Sequence, residues 1–127
     1  MRRKDKEITD WLLIEEIINK TFICRLGLID NDYPYIIPMN FGYKDKSLFF
    51  HSAREGKKLD IIKLNNNVCF EITSDYEIIK SDIPCRWGMK YHSVIGYGKA
   101  YLIDDFAEKK NSLNIIMNKY SNNNISN

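Results

Sequence analysis

Residues 49–60, Phe49-Phe50-His51-Ser52-Ala53-Arg54-Glu55-Gly56-Lys57-Lys58-Leu59-Asp60, connect the end of a predicted strand to a predicted helix. Ser52 followed three residues later by Glu55 is a capping-box pattern, which predicts that the helix begins at this point. A helix start carries backbone N–H groups without partners and the positive end of the helix dipole. The stretch therefore predicts both a junction between sheet and helix and a candidate site for an anion such as phosphate.

The charges of this stretch support an anion site only in part. Arg54, Lys57 and Lys58 place three positive charges in the first two predicted turns, where cations are mildly unfavourable unless an anion binds nearby. Gly56 leaves space for a ligand to approach the backbone. Glu55 would repel a phosphate if its side chain faced the site. The pattern therefore leaves two alternatives open, an anion site and a plain capped surface helix.

Composition limits the class of protein. A chain of 127 residues with 44% hydrophobic residues suits one domain, spanning residues 1–127, with a real core. The net charge of +2 is too small to indicate a nucleic-acid binder by itself. No apolar run approaches the ~20 residues of a membrane span. Three cysteines without a C-x-x-C pair, beside two histidines, predict neither a metal site nor a disulfide framework and favour a cytoplasmic location.

The first half of the chain predicts one helix and three strands. The helix has Thr9 as its N-cap, carries an apolar stripe and ends near Asn19. The strands cover residues 22–29, 33–43 and 48–51, and the turn cluster at residues 30–32 predicts a hairpin. In the first strand Phe22, Cys24, Leu26 and Leu28 share one face, and Cys24 is typical of a core residue. The second strand contains two prolines, which belong at sheet edges because they cannot donate to a ladder. Its freed backbone groups are expected to face a ligand or another chain.

The second half follows the helix that begins near Ser52. A fourth strand is predicted at residues 68–73 and a long strand at 91–103. The less regular stretch at 74–89 between them indicates a functional loop or a partner-facing segment. Glycines at 96 and 98 of the long strand permit a bend or a close backbone approach. Asp105 and Glu108 form a second capping box that begins the last helix. Residues 121–127 are expected to be disordered.

This order, α-β-β-β-α-β-β-α, predicts a mainly β (α+β) fold. Tight turns between the early strands indicate antiparallel pairing, and about five strands suggest a small barrel with flanking helices. No catalytic triad, carboxylate pair or Walker-type loop is present. We therefore expect any catalysis to come from a phosphate-bearing cofactor, with His51 at the strand end as the candidate catalytic residue beside it.

Short segments along nearly the whole chain resemble the FMN-binding split-barrel superfamily of pyridoxamine 5′-phosphate oxidase-like proteins, and most closely its nitroimidazole-resistance branch. The matching segments occur in the family's order and spacing. They are residues 1–5, 25–28, 34–43, 50–53, 56–60, 68–71 and 91–98.

The resemblance implies an antiparallel split β-barrel that forms a homodimer with FMN at the subunit interface. It places the backbone of residues 38–41 along the flavin ring and His51 beside it. It assigns the phosphate to Ser52, Arg54, Lys57 and Lys58. Trp87 and Tyr91 are expected to reach the ring from the facing subunit. The implied cofactor-binding residues are Pro38, Met39, Asn40, Phe41, His51, Ser52, Arg54, Lys57, Lys58, Trp87 and Tyr91.

The family pattern also extends beyond what this sequence contains. Family members usually continue past the last helix into a further barrel strand, whereas residues 121–127 are polar and Asn-rich, so we expect either that the chain is truncated or that this member does without the strand. The C-terminal segment with Arg and Trp that pyridoxamine phosphate oxidases use for substrate is absent as well. We therefore do not expect that specific reaction.

Three functions are compatible with these features. The first is an FMN-dependent oxidoreductase, in which a nicotinamide donor reduces the flavin and a small acceptor, such as a nitroaromatic 5-nitroimidazole, takes the electrons. The second is a non-catalytic module that binds flavin or heme, which the shortage of catalytic groups favours. The third is a nucleic-acid binder that uses the charged arm at residues 2–6 together with Lys57 and Lys58, and the modest net charge counts against it.

Overall fold

The computed structural model of the chain describes residues 10–53, 55–80, 82–83, 85 and 88–123, with the backbone alone at 75–79, 88–91 and 122–123. None of the helices in these ranges has the length and apolar character needed to cross a membrane. The elements in chain order are α1 (Trp11–Lys20), β1 (Cys24–Asp30), β2 (Tyr33–Met39), β3 (Gly42–Lys44), β4 (Ser47–Phe49), α2 (Lys57–Leu64), β5 (Asn67–Ile79), β6 (Gly88–Lys99) and α3 (Phe106–Asn123).

The strands form one four-stranded antiparallel sheet and one separate hairpin. The sheet has the order β2-β1-β5-β6, and the hairpin pairs β3 with β4. The predicted β1–β2 hairpin is confirmed, with Asn31 in the left-handed conformation of its turn. The proline-bearing strand β2 lies at an edge, as predicted. Mixed α/β structure with antiparallel pairing is therefore confirmed. The sheet does not close on itself within the described residues, so a closed split barrel stays a prediction.

One face of the sheet forms the core. Alternate residues of β1, Cys24, Leu26 and Leu28, are buried there, which confirms the predicted inward face of this strand. They belong to two clusters that share Phe50 and Phe70. The fully buried members are Ile17, Cys24, Phe41 and Ile72, each at 0–1% exposure. Burial of this apolar surface is the main favourable contribution to folding.

The opposite face of the sheet is exposed and partly apolar. One cross-strand row aligns Ile36, Gly27, Cys69 and Tyr97, and the next aligns Pro38, Arg25, Glu71 and Ile95. Ile36, Ile95 and Tyr97 are 63–81% exposed. An ion pair between Arg25 Nη1 and Glu71 Oε1, 3.2 Å apart, lies in the second row. None of the described elements covers this face, which we call the outer sheet face.

The predicted strand over residues 33–43 is in fact two strands, which is a correction to the sequence analysis. β2 ends at Met39 and β3 begins at Gly42. Asn40 donates its side-chain amide to the carbonyl of Phe22 at 3.0 Å, and Phe41 is fully buried. The chain leaves the sheet at these two residues because the Phe41 ring packs between α1 and the hairpin rather than alternating with the strand.

Three further predictions of element boundaries were wrong. Half of the predicted loop at 74–89 is strand, since β5 runs to Ile79 and β6 starts at Gly88, with a bulge between Ser74 and Glu77. Isoleucine and tyrosine in this stretch favour strand once a partner strand is in register. Asp10 is the N-cap of α1, through an Oδ1 contact with the Leu12 N–H at 3.0 Å. Residues 121–123 continue α3. Thr9 and residues 124–127 lie outside the described residues.

Candidate functional site

A cavity of about 240 Å³ lies between the start of α2 and the edge strand β2. Both the strand and the approach to the helix contribute to its wall. The lining residues are Tyr35, Ile37, Ser52, Ala53, Glu55, Gly56, Lys57, Lys58 and Leu59. Three predicted cofactor residues, Ser52, Lys57 and Lys58, are therefore brought together at one cavity.

The start of α2 differs from the prediction. The helix begins at Lys57 rather than near Ser52, and its N-cap is Gly56, which has φ 139° and no side chain to cap the helix. The Ser52 hydroxyl instead donates to the carbonyl of Ala53 at 3.3 Å. The predicted Ser52–Glu55 capping box is therefore wrong, because the left-handed Gly56 interrupts the turn that would join its two residues. The second capping box is confirmed at its N-cap, where Asp105 accepts the N–H of Glu108 at 3.0 Å.

Because α2 has no side-chain cap, the N–H groups of its first turn can donate to a ligand in the cavity. The first intrahelical bond of α2 runs from the N–H of Asp60 to the carbonyl of Gly56 at 3.1 Å. The N–H groups of the preceding helical residues have no partner within the helix, as at every helix start. Ile61, only 4% exposed, packs against Leu26 and Leu28 of β1. This contact holds the helix start beside the cavity.

Two lysines give the cavity its positive charge, but their surroundings differ. Lys57 Nζ lies 3.5 Å from Asp30 Oδ2 and 4.7 Å from the centroid of the Tyr35 ring. Lys58 is half-buried, and within the described part of the chain it forms no ion pair. Glu55 contributes a carboxylate to the lining. The cavity therefore combines two cations, a hydroxyl and one opposing charge.

The four predicted residues at the end of β2 do not line this cavity. Pro38 is exposed and pairs with Arg25, while Met39 is half-buried and packs in the core. The Asn40 amide is occupied by the carbonyl of Phe22, and Phe41 has no exposed surface. The prediction for this segment concerned its backbone, and it stays a prediction. The side chains of Asn40 and Phe41 stabilise the structure.

The carboxyl end of α3 holds residues 40–41 against α1. Lys119 Nζ donates to the carbonyls of Ile18 at 3.0 Å and Asn19 at 3.4 Å, which are last-turn acceptors of α1. The same ammonium lies 4.4 Å from the centroid of the Phe41 ring. The Tyr120 hydroxyl donates to the carbonyl of Phe22 at 3.2 Å. These contacts connect α1 and α3 to residues 40–41, where the chain leaves the sheet.

Lys119 makes stability depend on pH. Burial lowers the pKa of Lys119 from 10.5 to about 8, so the unfolded chain binds more protons than the folded one between these values. Stability should therefore rise with pH across this interval. From pH 7 to pH 9, we expect wild type to gain about 1 kcal/mol relative to Lys119→Met. The measurement is urea unfolding of both proteins at pH 7, 8 and 9.

The comparison with Lys119→Met isolates this one group. Burial raises the pKa of Cys24 to about 12, which lowers stability above pH 9, but this contribution is common to both proteins. Parallel stability curves for wild type and variant would contradict the prediction. They would mean that the helix carbonyls and the Phe41 ring keep the ammonium charged.

The remaining predicted site residues lie away from the cavity lining or outside the described structure. His51 is exposed between β4 and α2 and precedes Ser52 in the chain. Tyr91 belongs to β6 by its backbone, and its side chain is not among those described. Arg54 and Trp87 lie outside the described residues. Their predicted roles toward a cofactor stay predictions.

Sequence reasoning missed Tyr35 and Ile37 as lining residues. The signal for them was the period of two in a strand, which places Tyr35, Ile37 and Met39 on one face. That face packs against the cluster containing Ile61 of α2. The two residues reach the cavity because α2 lies across this end of the sheet.

Comparison with known proteins identifies the family. The family model described as pyridoxamine 5′-phosphate oxidase matches residues 10–127. The chain belongs to the pyridoxamine 5′-phosphate oxidase family. A search of curated proteins found no match. The family membership inferred from the sequence segments is thereby confirmed.

Solved structures of similar proteins agree with this family. One is a Bacteroides thetaiotaomicron protein provisionally assigned to 5-nitroimidazole antibiotic resistance, with 37% identity, a TM-score of 0.79, and coverage of 89% of this chain and 68% of that one. This match agrees with the nitroimidazole-resistance branch. The flavocytochrome Anf3 of Azotobacter vinelandii has 17% identity and a TM-score of 0.75, with coverage of 92% and 58%. A FAD and heme binding protein of Mycobacterium smegmatis has 15% identity and a TM-score of 0.79, with coverage of 89% and 55%.

The latter two matches are similar in fold alone. The chain spans less than two thirds of the length of either protein. Membership of the pyridoxamine 5′-phosphate oxidase family therefore explains the arrangement of the sheet and helices in this chain.

Proposed function

We propose that this protein binds FMN and acts as an FMN-dependent oxidoreductase that reduces small acceptors, among them nitroaromatic compounds. The observation that carries the proposal is the cavity lined by Ser52, Lys57 and Lys58 in a chain of this family. The similarity to the Bacteroides protein supports nitroimidazoles as the acceptor class. Similarity in fold to a flavocytochrome and to a FAD and heme binding protein supports a flavin, and leaves its type to experiment.

The residues of the cavity suit the phosphate end of a flavin nucleotide. Two ammonium groups and a hydroxyl can hold a phosphate dianion, and charge-assisted hydrogen bonds are the strong ones. The volume of about 240 Å³ is below the ~300 Å³ at which small-molecule sites usually begin. One chain therefore encloses only part of the cofactor, and the flavin ring must lie beyond the cavity.

We infer that a second copy of the chain completes the site, as a homodimer with split barrels. The outer sheet face supports this inference because Ile36 on one edge strand and Ile95 and Tyr97 on the other are all exposed on it, and large exposed apolar side chains are a feature of interaction surfaces. Its central ion pair, Arg25 with Glu71, offers both charges to a two-fold related copy. Free Cys24, Cys69 and Cys85 support a cytoplasmic location.

In this proposal the chain binds and orients, and the flavin supplies the redox chemistry when bound. Lys57 and Lys58 would neutralise the phosphate, and the backbone of residues 38–41 would hold the ring. His51 is the candidate proton donor. An unchanged turnover rate in His51→Ala would exclude that role.

Flavin binding is the first test. We expect the purified protein to retain added FMN after desalting, and Lys58→Met to weaken FMN binding about tenfold by removing one charged hydrogen bond. Riboflavin, which lacks the phosphate, should bind both proteins equally. Lys63→Met is the matched control, because Lys63 lies on the same helix but outside this cavity. A wild type that binds neither flavin would overturn the proposal.

Turnover is tested separately. Oxidation of a nicotinamide donor in the presence of a 5-nitroimidazole should depend on bound FMN. Stable flavin binding without turnover would favour the non-catalytic module over the oxidoreductase.

A further inference from the structure

Lys57 is held at the side of the cavity by two groups of the β1–β2 hairpin. Its Nζ lies 3.5 Å from Asp30 Oδ2, at the end of β1, and 4.7 Å from the centroid of the Tyr35 ring on β2. Tyr35 lines the cavity but Asp30 does not. The ammonium is therefore already paired with a carboxylate outside the space that an incoming anion would occupy.

Lys58 provides the contrast within the same cavity. It follows Lys57 in the first turn of α2 and also lines the cavity. No ion pair joins it to a carboxylate of the described residues. An anion can therefore use the charge of Lys58 directly, whereas it must compete with Asp30 for the charge of Lys57.

The strength of this competition is modest. The side chains of Lys57 and Asp30 are 62% and 34% exposed, and such pairs contribute at most about 1 kcal/mol in water. Removing the carboxylate should therefore change anion affinity by about two- to fivefold.

We propose that Asp30 is a positioning residue that lowers the affinity of the cavity for phosphate-bearing flavin by engaging Lys57. The inference rests on the proposed function. Asp30 would set how strongly the site prefers FMN over a flavin without phosphate, and it would keep the affinity below the maximum that the two lysines allow.

The experiment measures the dissociation constants of FMN and riboflavin by flavin fluorescence for wild type, Asp30→Asn, Lys57→Met and the double variant. Asp32→Asn is the matched control, because Asp32 lies in the same exposed hairpin turn and its replacement changes the net charge equally. We expect Asp30→Asn to bind FMN two- to fivefold more tightly (about 1 kcal/mol at most). Riboflavin binding should stay unchanged, as should FMN binding to Asp32→Asn.

The double variant separates competition from general repulsion. If Asp30 acts by engaging Lys57, Asp30→Asn should have little effect on FMN affinity when residue 57 is methionine. An equal effect in both backgrounds, an equal effect of Asp32→Asn, or a parallel change in riboflavin binding would overturn the inference while leaving flavin binding intact. Failure of wild type to bind either flavin would overturn the proposed function and this inference together.

Discussion

Phe41→Ala is expected to lower the free energy of unfolding by about 3–5 kcal/mol. The Phe41 ring has no exposed surface and packs with Ile17 and Ile72. Its removal leaves a cavity between α1, the hairpin and the sheet, and removes the ring beneath the Lys119 ammonium. This is a large part of the ~5–15 kcal/mol by which domains are usually stable. Urea unfolding followed by circular dichroism measures the change.

Phe106→Ala is the control, since Phe106 is 80% exposed at the start of α3 and should change stability by no more than about 0.5 kcal/mol. Phe41→Leu keeps most of the buried volume and should fold well enough for flavin titration. We expect it to retain FMN affinity, because only the backbone of Phe41 is predicted to lie beside the cofactor. Normal stability together with lost FMN binding would show instead that the ring itself contacts the flavin.

Gly42→Ala is expected to cost about 2–3 kcal/mol. A Cβ atom at this position would lie 2.9 Å from three atoms of α3, namely Ile115 Cγ2 and the N and Cα of Ile116. Two of these atoms are helix backbone, which cannot rotate away as a side chain can. The hairpin or α3 would have to move, and the docking of α3 on β3 would loosen. The same unfolding measurement reports the loss.

Gly98→Ala is the matched control for glycine replacement in a strand. No atom lies within 4 Å of a Cβ built at Gly98, so the variant should be as stable as wild type or more stable by about 0.5–1 kcal/mol. If Gly42→Ala matched Gly98→Ala, the close approach of α3 to β3 would not exist in solution.

Local pattern was sufficient for several features of the fold. The alternation in β1, the turn at residues 30–32 and the two prolines of β2 predicted a buried face, a hairpin and an edge strand, and all three are observed. These features depend on neighbouring residues alone, through strand periodicity, turn conformation and the missing N–H of proline. The paired glycines were predicted less well. Gly96 does accommodate the Phe70 ring, 2.3 Å from a built Cβ, while Gly98 faces open space.

Long-range packing determined the element boundaries that the local sequence pattern did not predict. The helix start at Lys57 rather than Ser52 depends on the left-handed Gly56 and on Ile61 docking against β1. The Ser52–Glu55 pattern is local, so it indicates neither the conformation of Gly56 nor the packing of Ile61. The extension of β5 to Ile79 and the start of β6 at Gly88 likewise exist because the two strands pair in register.

The sequence by itself determined the family, the sheet strands near the amino end and the location of three cavity residues, because motif spacing and hydrophobic period survive without coordinates. Only the tertiary structure decided which side chains meet. In the folded chain Phe41 lies in the core and the side-chain amide of Asn40 is hydrogen-bonded to the carbonyl of Phe22. Lys57 forms an ion pair with Asp30, 27 positions away in the chain. The physical reason is that burial and ion pairing depend on distances between segments, which residue spacing does not specify.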